Sequence, residues 1–275
     1  MKIAVAQFSS GMDKAANLAR IASLIERAAD AGARVVVFPE AAMCDFGLAT
    51  DDLRGLAEAL DGRFVQSLSE LAARFDMTVV AGMFESIPDD RLIYNSAVVV
   101  DPERGQVGVF RKRHLYDAFG EVESERFRPG SDDPLLVHID GFVVAVVICY
   151  DLRFASFIER AGDSGADLLL VPAAWVAGPL KEAHLSVIAR ARALDNTMYV
   201  AVGGQTGVGY TGMSVIVDPL GVVVGGLGEL DGVAVADVSR ERIDAARARL
   251  PVVAQRRAAP GGESREPRVK TAPVR

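Results

Sequence analysis

Only two cysteines, Cys44 and Cys149, and three histidines occur in the 275-residue chain. So few cysteines exclude a disulfide-stapled scaffold, and both thiols read as free. His114, His138 and His184 are too far apart in sequence for a short metal-ligand motif, so no catalytic metal is expected. Basic residues are the minority: 30 Lys and Arg against 37 Asp and Glu leave a net charge of −7. That balance offers no general attraction to nucleic acid or to an anionic membrane. Long apolar runs are missing too. The longest, residues 142–150, is nine residues and stops at Asp151, about half of what a membrane-spanning helix needs. The opening Met1-Lys2-Ile3-Ala4-Val5-Ala6-Gln7-Phe8 lacks the apolar core and cleavage site of a secretory signal, so a cytoplasmic protein is expected. With 50% apolar and 24% charged residues, the chain reads as an ordinary globular protein acting on small molecules.

Local patterns divide the chain into alternating elements. Residues 2–8 read as an apolar strand, and 13–31 place Ala16, Leu18, Ile21, Leu24, Ile25 and Ala28 at helical spacing, ended by Gly32. Val35-Val36-Val37-Phe38 follows, closed by Pro39-Glu40, which makes one βαβ unit with a parallel strand pair. The arrangement returns at residues 142–148 (strand), 155–164 (helix) and 168–171 (strand). Gly32-Ala33-Arg34-Val35-Val36-Val37-Phe38-Pro39 is matched in pattern by Gly165-Ala166-Asp167-Leu168-Leu169-Leu170-Val171-Pro172. Two hairpins repeat as well: residues 95–102 turn through Gly105 into 107–110, and 213–219 turn through Gly221 into 222–224.

Two copies of one unit predict two mixed sheets packed face to face with helices outside, a pseudo-symmetric α/β sandwich. A helix over 181–195 would cover one sheet through Val187, Ile188, Ala191 and Leu194. One domain is expected over 1–257. The remainder, 258–275, reads as a flexible tail, since residues 260–275 hold three prolines, two glycines and few apolar residues.

Sites in such sheets gather beyond the carboxyl ends of parallel strands. Glu40 and Cys149 both stand at such ends in the two halves, and Lys112 ends the first hairpin near the same rim. A carboxylate, an ammonium and a thiol suit acyl transfer: one takes the thiol proton, one holds the oxyanion, one attacks the carbonyl. Cys44 reads as a structural thiol, and His114 as a structural hydrogen-bonding group rather than a partner for Cys149. Gly207-x-Gly209-x-x-Gly212 matches a dinucleotide fingerprint but leads into a strand, so it reads as a glycine-rich loop.

Phe38-Pro39-Glu40, Arg111-Lys112-x-His114-Leu115 and Cys149-Tyr150-Asp151-Leu152-Arg153-Phe154 occur in that order, followed by Val171-Pro172-Ala173-Ala174-Trp175 and Arg190-Ala191-Arg192-Ala193-Leu194-Asp195-Asn196. Together they resemble the nitrilase superfamily over roughly residues 1–257, and the Cys149 segment resembles its omega-amidase and deaminated-glutathione amidase branch. The resemblance implies a four-layer αββα sandwich, a homodimer or higher homo-oligomer, and cofactor-free hydrolysis of a non-peptide carbon–nitrogen bond in a small amide. It implies Glu40 as general base, Lys112 as the oxyanion cation, Cys149 as the nucleophile forming a thioester, and the Tyr150 backbone N–H as a further oxyanion donor. A second active-site glutamate falls in Phe119-Gly120-Glu121-Val122-Glu123-Ser124; counting back from Pro129-Gly130 favours Glu123, with Glu121 the other choice. Tyr116 and Trp175 are candidates for the pocket wall, and Arg153 either grips a substrate carboxylate or pairs within the structure.

Rival readings are an N-carbamoyl amino acid hydrolase, a nitrilase, an amidase supplying ammonia to a synthetase on another chain, and a non-catalytic scaffold that binds a partner. Leu152 stands where carbamoylases of the superfamily often carry a second arginine, and true nitrilases commonly read Cys-Trp-Glu. Ala155-Ser156 also replaces the Pro-Glu usual in omega-amidases, which leaves the acyl group open.

Overall fold

The computed structural model describes residues 1–48 and 51–258. Strand β1 (Lys2–Gln7), helix α1 (Lys14–Asp30) and strand β2 (Val35–Val37) form the first βαβ unit, with Ile3 opposite Val35 in a parallel pair. Helix α1 starts at Asp13, whose side chain accepts from the N–H groups of Ala15 and Ala16, and it ends as Gly32 turns left-handed. Helix α2 (Arg63–Phe75), strand β3 (Thr78–Glu85) and the hairpin β4 (Tyr94–Asp101) and β5 (Gly105–Arg111) complete the first half. The second half runs β6 (Leu135–Ile139), β7 (Phe142–Val146), α3 (Ala155–Asp163), β8 (Leu168–Ala173), α4 (Lys181–Asn196), β9 (Tyr199–Gly204), β10 (Val215–Val217) and β11 (Val223–Gly226). Strand β12 (Gly232–Asp237) and helices α5 (Arg240–Arg249) and α6 (Val252–Ala258) close the described chain.

Two six-stranded sheets result, ordered β12-β1-β2-β3-β4-β5 and β11-β10-β9-β8-β7-β6. The repeat therefore extends to whole sheets: β1, β2 and β3 are parallel as β7, β8 and β9 are, and β12 lies antiparallel to β1 as β6 does to β7. Alternation along each strand sorts the side chains. Val5, Val35, Val37, Val80 and Val99 share one core with Val144, Val146, Leu168 and Leu170 of the second sheet. Ala4, Ala6, Val36 and Val79 face the other way, onto Ile21, Ile25 and Ala28 of α1 and Leu68 of α2. Each fully buried Val or Leu contributes on the order of 1.5–3 kcal/mol, so both the seam between the sheets and the helix-covered face stabilise the fold. The αββα sandwich expected from the sequence is the fold observed.

Helix α4 forms over the expected span but turns a different face inward. Leu185, Ala189 and Ala193 are buried, while Val187 is 64% exposed. Ile188 and Ala191 are only partly buried and Leu194 is exposed. An i, i+4, i+8 stripe rich in alanine lets the helix lie close to its neighbours, and alanine carries too little hydrophobic signal to outweigh valine and leucine in a pattern count. Of the segment 258–275, expected to be a flexible tail, Ala258 is the last residue of α6, and residues 259–275 lie outside the described part. No helix among the described residues is long and apolar enough to cross a membrane.

Two glycines grip the segment that leaves β2. A Cβ on Gly82 of β3 would stand 2.6 Å from the Glu40 Cα and from the Ala41 nitrogen, and one on Gly203 of β9 would stand 2.5 Å from the Val37 oxygen. The strand end that carries Glu40 thus lies tight against both a neighbouring strand and the facing sheet. Gly82→Ala is expected to cost about 1–3 kcal/mol through backbone overpacking, read as a lower thermal midpoint.

Candidate active site

Beyond the carboxyl ends of β2, β7 and β8 opens a cleft of about 870 Å³, lined by Glu40, Lys112, Glu123, Cys149, Tyr150 and Trp175 among others. Strand β7 stops two residues before the expected end, although the Val147 N–H still donates to the Leu170 oxygen. The chain then turns sharply into a 3₁₀ helix, Cys149–Arg153, with Cys149 itself at φ 42°. A left-handed non-glycine residue costs roughly 1–2 kcal/mol, so the turn must be held by its surroundings. Asp151, fully buried, does this: Oδ2 accepts the Ile148 N–H at 3.2 Å, and Oδ1 accepts the His114 N–H at 2.8 Å. His114 Nδ1 lies 2.7 Å from the same Oδ1, and its ring stacks on Phe154 at 3.7 Å. His114 therefore supports the turn that presents Cys149 rather than pairing with the thiol.

Lys112 follows β5 directly, and its backbone is pinned by the Asn95 oxygen at 2.8 Å and the Gly130 N–H at 2.7 Å. Its Nζ donates to Glu40 Oε1 at 2.7 Å and to Glu123 Oε2 at 2.8 Å. All three groups are buried. Glu40 Oε2 accepts the Ala174 N–H at 2.8 Å, and Glu123 Oε2 accepts the Tyr116 N–H at 2.6 Å. Of the two glutamates offered by the sequence, the structure brings Glu123 to Lys112 and leaves Glu121 exposed at the cleft.

Burial alone would lower the ammonium's pKa, but the Glu123 and Glu40 carboxylates outweigh it and hold Lys112 well above the ordinary lysine value. Burial pushes the Cys149 thiol well above its ordinary value, and the adjacent Glu40 carboxylate adds to the shift. With two carboxylates facing one ammonium, a standing thiolate would add a second uncompensated negative charge. The group is thus suited to hold a neutral thiol whose proton leaves as the sulfur attacks. Among the described residues no group of three or more His, Cys, Asp and Glu could hold a metal ion.

Residues 2–248 match the carbon-nitrogen hydrolase family. The chain belongs to that family. This hydrolase is 36% identical over 261 residues to deaminated glutathione amidase of Escherichia coli O157:H7, covering 94% of this chain and 98% of that protein. Omega-amidase NIT3 of Saccharomyces cerevisiae is 32% identical over 277 residues, 94% of this chain and 93% of that protein. The crystal structure of Saccharomyces cerevisiae Nit3, a member of the nitrilase superfamily, superposes with a TM-score of 0.83 at 30% identity over 94% of this chain and 96% of that one. An amidase from Nesterenkonia sp. AN1, seen with acrylamide added at its active-site cysteine, gives 0.77 at 25% identity over 91% and 98%. The hydrolase is accordingly an enzyme of the nitrilase superfamily with amidase relatives.

Aromatic rings form the cleft wall of the hydrolase. Tyr116 and Tyr150 meet edge to face at 5.0 Å, and the Arg153 guanidinium lies 4.7 Å from the Trp175 ring centre. Trp175 Nε1 donates to the Lys181 oxygen at 3.0 Å, while Lys181 Nζ donates to the Tyr116 hydroxyl at 2.9 Å and lies 3.8 Å from the Phe119 ring centre. Neither Arg153 nor Lys181 meets a carboxylate within ion-pair distance among the described residues. Burial, and then the neighbouring Arg153 charge, lower the Lys181 pKa. Val208 and Gly209 of the glycine-rich loop line the same cleft, so that loop shapes the mouth and opens no helix.

Asn95, the Asp151 support, the Ala174 N–H and Lys181 escaped the sequence reading. Asp151 sits inside the Cys149 motif and Ala174 inside the following one, so their positions were visible without their partners. Asn95 opens a hairpin strand read only for topology, and Lys181 resembled any helix-end lysine.

Proposed function

We propose that the hydrolase converts a small carboxamide, with a carboxylate on its acyl part, into the carboxylic acid and ammonia through a thioester on Cys149. The observation that carries this reading is the buried Lys112 bridging Glu40 and Glu123 beside the neutral thiol. In the first half-reaction the Cys149 S–H proton passes to Glu40 while the sulfur bonds to the amide carbon. The carbonyl oxygen takes up the negative charge against Lys112 and the Tyr150 N–H. Glu40 returns the proton to the amide nitrogen, the C–N bond breaks, and ammonia leaves. Water then enters, gives a proton to Glu40 and attacks the thioester; the C–S bond breaks and the thiol is restored. Glu123 keeps the ammonium aimed at the reacting oxygen.

Arg153 and Lys181 support the acyl half of the reading. Two cations on one wall with no carboxylate between them repel each other, and a substrate carboxylate would relieve that cost. We also propose a homodimer or larger homo-oligomer, for which exposed Val187 and Leu194 on α4 supply apolar surface. Ammonia release should be measured across dicarboxylic acid monoamides, neutral aliphatic amides of equal length, N-carbamoyl amino acids and nitriles. Monoamides bearing a carboxylate should turn over best, and Arg153→Met and Lys181→Met should each raise their KM by about tenfold or more with kcat changed less. Preferential turnover of the neutral amides, or of carbamoyl compounds or nitriles alone, would sink the proposal.

A further inference from the structure

Among the described residues, Asn95 is the one side chain that touches both carboxylates and is neither charged nor at the cleft wall. Its Nδ2 donates to Glu40 Oε1 at 2.7 Å and to Glu123 Oε1 at 2.8 Å, and its backbone oxygen accepts the Lys112 N–H at 2.8 Å. Three groups from three separate segments are thus tied to one residue of β4. The orientation of the carboxamide follows from charge, since turning it over would aim Oδ1 at two carboxylates. In the orientation observed, Oδ1 is buried without a hydrogen-bond partner. A buried acceptor without a partner costs stability, whereas the Nδ2 donors of the same side chain are both spent on the two carboxylates.

What this placement decides is which oxygens remain open. A carboxylate offers about four lone-pair directions. On Glu40, Asn95 and Lys112 occupy Oε1 while the Ala174 N–H occupies one direction of Oε2, which leaves Oε2 the less saturated oxygen. The Glu40 carboxylate acts directly on the Cys149 thiol, and Oε2 is the oxygen that Asn95 and Lys112 leave open. We propose that Asn95 is a positioning residue for the reaction: it acts through Glu40 and Glu123, holding Oε1 of each so that Lys112 stays between them and Glu40 presents Oε2 to the thiol proton. This rests on the roles assigned above to Glu40, Lys112 and Cys149.

Asn95→Leu removes both donors at similar volume and keeps the backbone contact to Lys112; Asn95→Asp keeps the shape but replaces the donors with a carboxylate. On an amide that the wild type turns over and Cys149→Ala does not, both variants should lose about 100-fold in kcat, the scale expected of misplaced catalytic groups. KM should stay within about threefold. A double variant, Asn95→Leu with Glu123→Gln, should be about as slow as the slower single variant, because both changes act on one unit. Alkylation of Cys149 by iodoacetamide, followed by intact mass, needs no substrate and should slow by about fivefold or more in Asn95→Leu, in keeping with a thiol whose proton is less well received. The alkylation arm keeps the test decisive even if no amide is turned over and the proposed function fails. Full kcat in Asn95→Leu, multiplicative losses in the double variant, or unchanged alkylation would each overturn the positioning role.

Discussion

Lys112→Met is expected to abolish useful turnover and to weaken the fold at the same time. Lys112 is 2% exposed and, among the described residues, is the only cation bonded to the Glu40 and Glu123 carboxylates. Methionine fills similar space but leaves those carboxylates facing each other without it. Breaking a buried pair by removing one partner costs about 3–5 kcal/mol, which corresponds to a fall on the order of 10 °C in the thermal midpoint. Loss of the oxyanion donor proposed for Lys112 is alone worth about 10²–10³ in kcat, and the disordered carboxylates should take the loss beyond that. The pH dependence follows from the direction of the Lys112 shift. Because the folded pKa lies above the unfolded value, its stabilisation is fully present below the ordinary lysine range, near 10.4, and disappears only as pH rises through the folded value. The stability gap between wild type and Lys112→Met should therefore stay level from neutral pH to about 10 and narrow only above that range, as urea unfolding across that range would show. A gap that closes already near pH 8 would contradict the raised ammonium.

Cys149→Ala should separate chemistry from folding. Turnover is expected to fall by at least about 10⁴-fold, since no other nucleophile stands at the turn. Stability should change little, because the turn is held by Asp151 and the ring of His114. Intact mass on a slow substrate should show an acyl adduct on the wild type and none on the variant. Binding should persist, because Arg153, Lys181 and Trp175 are untouched. A Cys149→Ala protein with more than about a hundredth of wild-type kcat would overturn the thioester route.

How much was legible beforehand differs from element to element. The two βαβ units and the hairpins were readable because their signals are local: β-branched runs, glycines that end helices, prolines that end strands. The meeting of Glu40, Lys112 and Cys149 at one rim was readable because each lies inside a short motif at the end of an element whose course those signals predict. Glu123 against Glu121 was not decidable by chemistry, as two carboxylates two positions apart are equivalent until the Tyr116 N–H and Lys112 Nζ select one. The buried face of α4 was misjudged because close packing of an alanine stripe outweighs side-chain hydrophobicity there.

By itself, then, the sequence determined the repeated α/β architecture and the placing of a carboxylate, an ammonium and a thiol at the ends of its elements, since both are written in neighbouring residues. Which groups meet was decided by the tertiary structure alone. Asn95 reaches Glu40 across 55 positions and Glu123 across 28, and Glu40 meets the Ala174 N–H across 134. Such partners are brought together by the packing of two sheets whose strand ends share one rim, and no local pattern encodes a distance of 2.8 Å between residues so far apart in the chain.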